Sequence, residues 1–224
     1  MADNAPLLER IDRYIEELFV PEDPALSQNL ADAIAAGLPD INVSANQGKL
    51  LHLLARISGA QRILEIGTLG GYSTTWLARA LPPWGMLVTL EIDPRHAEVA
   101  RRSIAGAVAD VRVDVRVGRA ADSLRQMIAT NQPPFDFIFI DADKPGYAEY
   151  LELAIQLARP GTVIVADNLI RNGLVLESSL PEADDNARAA RAFNATLAAH
   201  PRLDSIILPI MRKTIDGLSI SLVR

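Results

Sequence analysis

The stretch PFDFIFIDADKPGY, residues 134–147, decides how the chain is read. Five of its first seven residues are apolar, and the run stops on Asp141, Asp143 and Lys144. A short, nearly continuous apolar run is the pattern of a strand covered on both faces, as in a parallel sheet. Such a strand delivers two carboxylates and an amine to the sheet rim, where open α/β sheets bind their ligands.

The flanking segments repeat the pattern. RILEIG (62–67), MLVTLEID (86–93), GTVIVAD (161–167), LDSIILPI (203–210) and DGLSISLV (216–223) read as strands, and the alternating VRVDVRV (111–117) reads as a strand near an edge. Between them lie helical patterns at 71–81, 94–107, 119–130, 146–158 and 187–200. The last two strands are joined around MRKTI, too short for a crossover helix, so that pair is expected to be antiparallel. Upstream, Leu7, Leu8, Ile11, Ile15, Leu18 and Phe19 fall at helical spacing up to VPEDP. Two more helices follow, at 24–37 with Gly37 as a C-cap and at 45–59 with Ser44 or Asn46 as N-cap. The expected fold is α/β: a seven-stranded, mostly parallel sheet with an antiparallel last strand and helices on both faces. One domain over 1–224 is expected, with N-terminal helices in 1–58 and a core in 59–224.

Composition narrows the function. The 224 residues are 49% hydrophobic, enough for one well-packed domain. A net charge of −6 gives no sign of a nucleic-acid polyelectrolyte partner. With no cysteine, disulfides and thiolate metal sites are excluded, and any metal must be held by oxygen or histidine. No secretory signal and no apolar run of about 20 residues are present, so a cytoplasmic protein with no membrane partner is expected.

The strand ends carry the chemistry. Gly67, Gly70 and Gly71 form a turn after the first strand, spaced G-x-x-G-G rather than the G-x-G-x-x-G of dinucleotide enzymes. Close packing alone can also require such a turn. Glu91 closes the second strand, where an acid accepts hydrogen bonds from ribose hydroxyls. Together the two features suggest a nucleoside-bearing cofactor. Asp141 and Asp167 close the fourth and fifth strands, and neighbouring strands lie about 5 Å apart. Two such carboxylates repel unless one is protonated or a cation lies between them, and with Asn168 they suit a hard dication such as Mg²⁺. The same acids could instead cap helix N-termini. Lys144 reads either as a solvated loop lysine or as a base that a nearby dication frees to take a proton from a hydroxyl.

LEIGTLGGYST, TLEID, FIFIDADKPGYAEY, ARPGTVIVADNLI and DGLSISLV occur in an order and spacing that resemble the cation-dependent class I O-methyltransferases, which include catechol and caffeoyl-coenzyme A O-methyltransferases. The resemblance spans about residues 41–224 and implies a Rossmann-like fold. It implies S-adenosylmethionine as methyl donor and Mg²⁺, or another divalent cation such as Mn²⁺ or Ca²⁺, as metal. Val43, Glu65, Gly67 and Ser73 then lie by the methionine part of the cofactor, with Leu69 and Tyr72 against it. Glu91 takes the ribose, Ala120 lies by the adenine, Asp143 lies near the sulfonium, and Asp141 is a further cofactor contact. Asp141, Asp167 and Asn168 match the metal ligands, Lys144 the base, and Asn172 a substrate contact. Arg171 stands where many plant members have Trp. This disfavours the plant thioester and suits a smaller phenolic substrate, catechol-like or acidic. Residues 171–186 are expected in the substrate wall. His52, His96 and His200 are expected to be structural or at the surface. A homodimer is expected. Within the same family, methylation of a hydroxylated uridine in transfer RNA would require a basic stripe, for which Arg101, Arg102, Arg112, Arg116, Arg119 and Arg125 are candidates.

Overall fold

A computed structural model describes residues 5–21, 23–177, 184–212 and 214–224. Three helices come first: α1 (Ala5–Phe19), α2 (Pro24–Ala35) and α3 (Ala45–Ile57). Asp23 caps α2 by accepting from Ala25 N and Leu26 N, and Pro24 opens it. Ser44 caps α3 in a capping box closed by Gln47, which settles the choice between Ser44 and Asn46.

The core then alternates β1 (Arg62–Ile66), α4 (Tyr72–Ala78), β2 (Met86–Glu91), α5 (Pro94–Ala107), β3 (Arg112–Val117), α6 (Ala120–Ala129), β4 (Phe135–Ile140), α7 (Tyr147–Gln156), β5 (Ala158–Ala166), α8 (Asp185–Ala199), β6 (Leu203–Met211) and β7 (Ile215–Val223). The seven strands form one sheet in the order β3-β2-β1-β4-β5-β7-β6. β1 pairs in parallel with β2 and β4, β2 with β3, and β4 with β5. β7 runs antiparallel to both β5 and β6. The expected topology holds, with β3 at one edge as its alternation predicted.

Every residue of β4 is buried. Ile138 and Ile140 pack with α6, α7 and α8 on one face, through Leu124, Leu151 and Phe193. Phe137 and Phe139 pack with α3 and α4 on the other, through Leu51 and Leu77. The acid within this apolar strand is explained by its partners. Asp136 Oδ2 accepts from Gln61 N and Arg62 N at 2.9 Å, and its Oδ1 accepts from Arg159. It therefore ties the starts of β1 and β5 to β4.

The order reverses between β1 and β4, where chains leave toward opposite faces. A crevice opens at such a switch point, beyond the carboxyl ends of the strands.

Candidate active site

A cavity of about 920 Å³ occupies that crevice, at the upper end of the range usual for small-ligand sites. Its floor is the turn after β1. Gly67 has φ +101°, and a Cβ there would lie 1.9 Å from the carbonyl oxygen of Asp141. The glycine thus lets the ends of β1 and β4 pass at backbone contact while also lining the cavity. Gly71 has φ +85° and would meet Ala100 and Ile104 of α5, so close packing explains this second glycine.

Glu91 organises the turn. Its Oε2 accepts from Leu69 N at 2.8 Å and Thr68 N at 3.3 Å, and its Oε1 accepts from Asp93 N at 2.9 Å. Three amides fix this carboxylate at the cavity wall, where unused lone pairs can still accept from hydroxyls. Glu65 lies beneath it, fully buried, receiving hydrogen bonds from the hydroxyls of Ser73, Thr74 and Thr89. Burial pushes the Glu65 carboxyl up to about 7, against the lowering effect of the three hydroxyls.

At the ends of β4 and β5, Asp141 and Asp167 face the same cavity. Asp167 is 2% exposed. Its Oδ1 accepts from Asn168 N at 2.7 Å and its Oδ2 from the side-chain amide of Gln47 at 3.1 Å. Burial, and then the charge of Asp141, raise the Asp167 carboxyl to about 7. Asn168 sits in the left-handed region at φ +60°, an uncommon backbone for a residue other than glycine.

Lys144 opens a 3-10 turn, Lys144–Gly146, and is 7% exposed, so it is not a solvated loop lysine. Its Nζ donates to Tyr147 Oη at 2.5 Å, and to Asp141 Oδ1 and Ala142 O at 3.2 Å. Tyr147 is fully buried behind it, anchored on the carbonyls of Ile140 and Asp167 and packed edge-on against Phe193. On the same rim the Tyr150 hydroxyl donates to Asp143 Oδ1 at 2.6 Å.

Most of the residues singled out from the sequence converge here. Val43, Gly67, Leu69, Ser73, Glu91 and Ala120 line the cavity, as do Asp141, Asp143, Lys144, Asp167, Asn168 and Arg171. Three do not. Glu65 stands behind Ser73, taken up by its three hydroxyls. Tyr72 points away and packs with Leu26 and Trp76 against the N-terminal helices. Asn172 accepts from Ile215 N at 2.8 Å, which fastens the turn to β7. Residues 178–183 of the expected substrate wall lie outside the described residues, whereas Arg171 and Asn186 near its ends line the cavity.

Among the lining residues that the sequence did not point to are His96 and Gln47. His96, expected to be structural or at the surface, faces Glu91 with Nδ1 3.7 Å from Oε1 and lines the cavity. Gln47 also lines it. Its place in a capping box was a visible signal, but its bond to Asp167 was not. His52 and His200 do lie elsewhere, against Trp76 O and Glu152.

Comparisons with known proteins identify the family. A family model described as O-methyltransferase matches residues 17–223. The chain is 48% identical to a catechol O-methyltransferase of Niastella koreensis over 99% of its own length and 100% of that protein. It is also 48% identical to a catechol O-methyltransferase of Mycobacterium tuberculosis, over 99% of each chain. The crystal structure of a Bacillus cereus O-methyltransferase in complex with SAH superposes with a TM-score of 0.93, at 44% identity, covering 98% of this chain and 100% of that one. The chain belongs to the O-methyltransferase family.

Proposed function

We propose that the chain transfers a methyl group from S-adenosylmethionine to one hydroxyl of a catechol-like aromatic diol, with a divalent cation bound at Asp141, Asp167 and Asn168. The observation that carries this reading is the joint placement of two acids, an amide and a buried amine in one cavity with the glycine turn and Glu91.

The residues fit the cation. The donor set is all oxygen, as Mg²⁺ and similar hard ions require. Burial first, and then the charge of Asp141, raise the Asp167 carboxyl, and a cation between the two acids would relieve both costs. They also fit the cofactor: Glu91 presents a fixed carboxylate for ribose, and Ser73 and Gly67 lie beside it at the floor. When bound, Mg²⁺ supplies a Lewis acid that lowers the pKa of a coordinated hydroxyl, and S-adenosylmethionine supplies an activated methyl.

The chain's own residues do the rest. In its neutral form Lys144 Nζ receives the hydroxyl proton on the lone pair freed when it gives up its bond to Asp141 Oδ1, and Tyr147 and Ala142 O hold that nitrogen in place. Gln47 and Asn168 N fix the Asp167 carboxylate. The walls exclude water and hold nucleophile and methyl in line, which supplies several kcal/mol or more of the acceleration.

A small molecule suits the site better than transfer RNA. Of the arginines that could form a basic stripe, Arg116 pairs with Asp114, Arg119 and Arg125 with Asp122, and Arg125 also with Glu149. The exposed stripe Leu7, Ile11, Tyr14 and Leu18 on α1 supports a homodimer. Among the described residues no helix is long and apolar enough to cross a membrane. We read the whole chain as one cytoplasmic domain.

Incubation of the purified protein with S-adenosylmethionine and catechol, with Mg²⁺ or with a chelator, tests this. A monomethyl ether formed only with the cation is expected. Full turnover in chelator removes the metal, and no methylated product under any condition removes the reaction.

A further inference from the structure

We infer that Arg171 forms an anion subsite in the cavity and selects aromatic diols that carry a carboxylate on the side of the ring away from the reacting hydroxyls. This rests on the methyltransferase reading above and names the substrate class within it.

Arg171 lines the cavity. Its Nε is buried and without a hydrogen-bond partner, and no ion pair or hydrogen bond engages its guanidinium among the described residues. A buried, unmatched donor on a charged group is expensive, so native structures rarely keep one without a use. Arg62 also has buried, unpartnered nitrogens, but it lies 5.2 Å over the Phe135 ring and donates to the Met86 sulfur, so packing explains it. The second arginine at this end of the cavity, Arg212, donates to Asp12 Oδ2 at 2.6 Å and is neutralised there. Among the described residues, Arg171 is therefore the cation at this end of the cavity whose guanidinium has no partner.

Its backbone is held where a side chain rarely goes. Arg171 has φ +49° and Asn172 φ +54°, a left-handed conformation that costs non-glycine residues free energy and persists only where the surroundings enforce it. Asp216 Oδ1 accepts from Ile170 N, Arg171 N and Gly217 N at 2.8–3.1 Å. Asn172 is bonded to Ile215 N, and Leu169 N to Gly217 O. The turn is thus clamped to the start of β7 on both sides of Arg171. Asp216 Oδ1 is itself taken up by these three amides.

The position suits a bifunctional substrate. Arg171 is three residues from Asn168, so their Cα atoms are at most about 11 Å apart. An aromatic ring with its diol at Asp141, Asp167 and Asn168 can turn a carboxylate toward Arg171. A guanidinium meets a carboxylate with two parallel hydrogen bonds, which gives discrimination as well as affinity.

The test compares 3,4-dihydroxybenzoate with catechol, in the parent protein and in Arg171→Gln. The expected result is a kcat/KM ratio favouring the benzoate in the parent, falling at least tenfold in the variant. A parallel readout is calorimetric binding of both diols to protein holding Mg²⁺ and S-adenosylhomocysteine. The benzoate is expected to bind more tightly, to lose that advantage in Arg171→Gln, and to weaken more steeply with salt. Equal ratios in parent and variant overturn the subsite. If neither diol is methylated, the reaction proposed above fails, and the calorimetric preference still decides whether Arg171 holds the carboxylate.

Discussion

Gln47 donates through its side-chain amide to Asp167 Oδ2 at 3.1 Å, joining the first turn of α3 to the end of β5 across 120 residues of chain. The same side chain accepts from Ser44 N through its carbonyl oxygen. One residue therefore closes a helix cap and aims a carboxylate. Partners that orient a ligating group typically matter 10- to 100-fold for metal affinity. Gln47→Leu should weaken Mn²⁺ binding by about that factor, measured by calorimetry without substrate. Loss of the Gln47 half of the capping box, with the Ser44 half intact, should also cost at most about 1 kcal/mol of stability. An unchanged Mn²⁺ affinity would leave Gln47 a cap and nothing more.

Lys144 is the base in the proposed reaction. Lys144→Met keeps an unbranched stem and removes the amine, whose nitrogen lies 4.4 Å from the Tyr147 ring centroid. Turnover should fall by about 10²–10⁴. S-adenosylhomocysteine affinity should change little, because the amine faces Tyr147 and Asp141. Undiminished turnover would take the base out of the mechanism. Tyr147→Phe removes the closest partner of Nζ and should lower kcat by a smaller factor.

The strands were legible because burial on both faces leaves a plain trace: β1, β2 and β4 are short apolar runs with few competing signals. Their ends were legible for the same reason, since a charge following such a run has only the rim to occupy. Where local chemistry is mixed, the reading slipped. β5 begins at Ala158 rather than Gly161, because Thr162 Oγ1 accepts from Arg159 N and Arg159 pairs with Asp136, which carries the strand through Pro160 and Gly161. α4 stops at Ala78, ahead of Pro82 and Pro83, although its apolar pattern runs on to Leu81. Tyr72 lies in the correct turn but projects to the N-terminal helices, a direction set by where α2 packs. Gln47 and His96 became site residues through partners distant in sequence or on another element, which no local pattern encodes.

Glu65 should give the protein a measurable pH dependence of stability. Its carboxyl is raised from the usual 4.5 to about 7 in the fold. Between those values the folded chain holds a proton that the unfolded chain has lost. The contribution is therefore fully present below about pH 4.5 and lost as pH rises through 7. Urea midpoints of the metal-free protein should fall from pH 5 to pH 8. In Glu65→Gln the decline should be shallower, by at most about 1.4 kcal/mol per pH unit within that window. Parallel profiles for the two proteins would show that Glu65 does not titrate there.

Gly67 and Gly59 separate strain from packing. Both have positive φ, +101° and +65°, but a Cβ at Gly59 meets nothing within 4 Å, whereas at Gly67 it would lie 1.9 Å from the Asp141 carbonyl oxygen. Gly59→Ala should therefore incur only the left-handed penalty of about 1–2 kcal/mol, lowering Tm by roughly 2–8 °C in a chain of this size. Gly67→Ala must also push apart the ends of β1 and β4. Its Tm should fall further, and whatever folds should lose the stabilisation expected from S-adenosylhomocysteine in the parent, because Asp141 and the glycine turn move together. Thermal scans with and without that ligand distinguish the outcomes. Equal losses in the two variants, with ligand stabilisation intact in both, would mean that the contact between these strand ends is not what shapes the cavity floor.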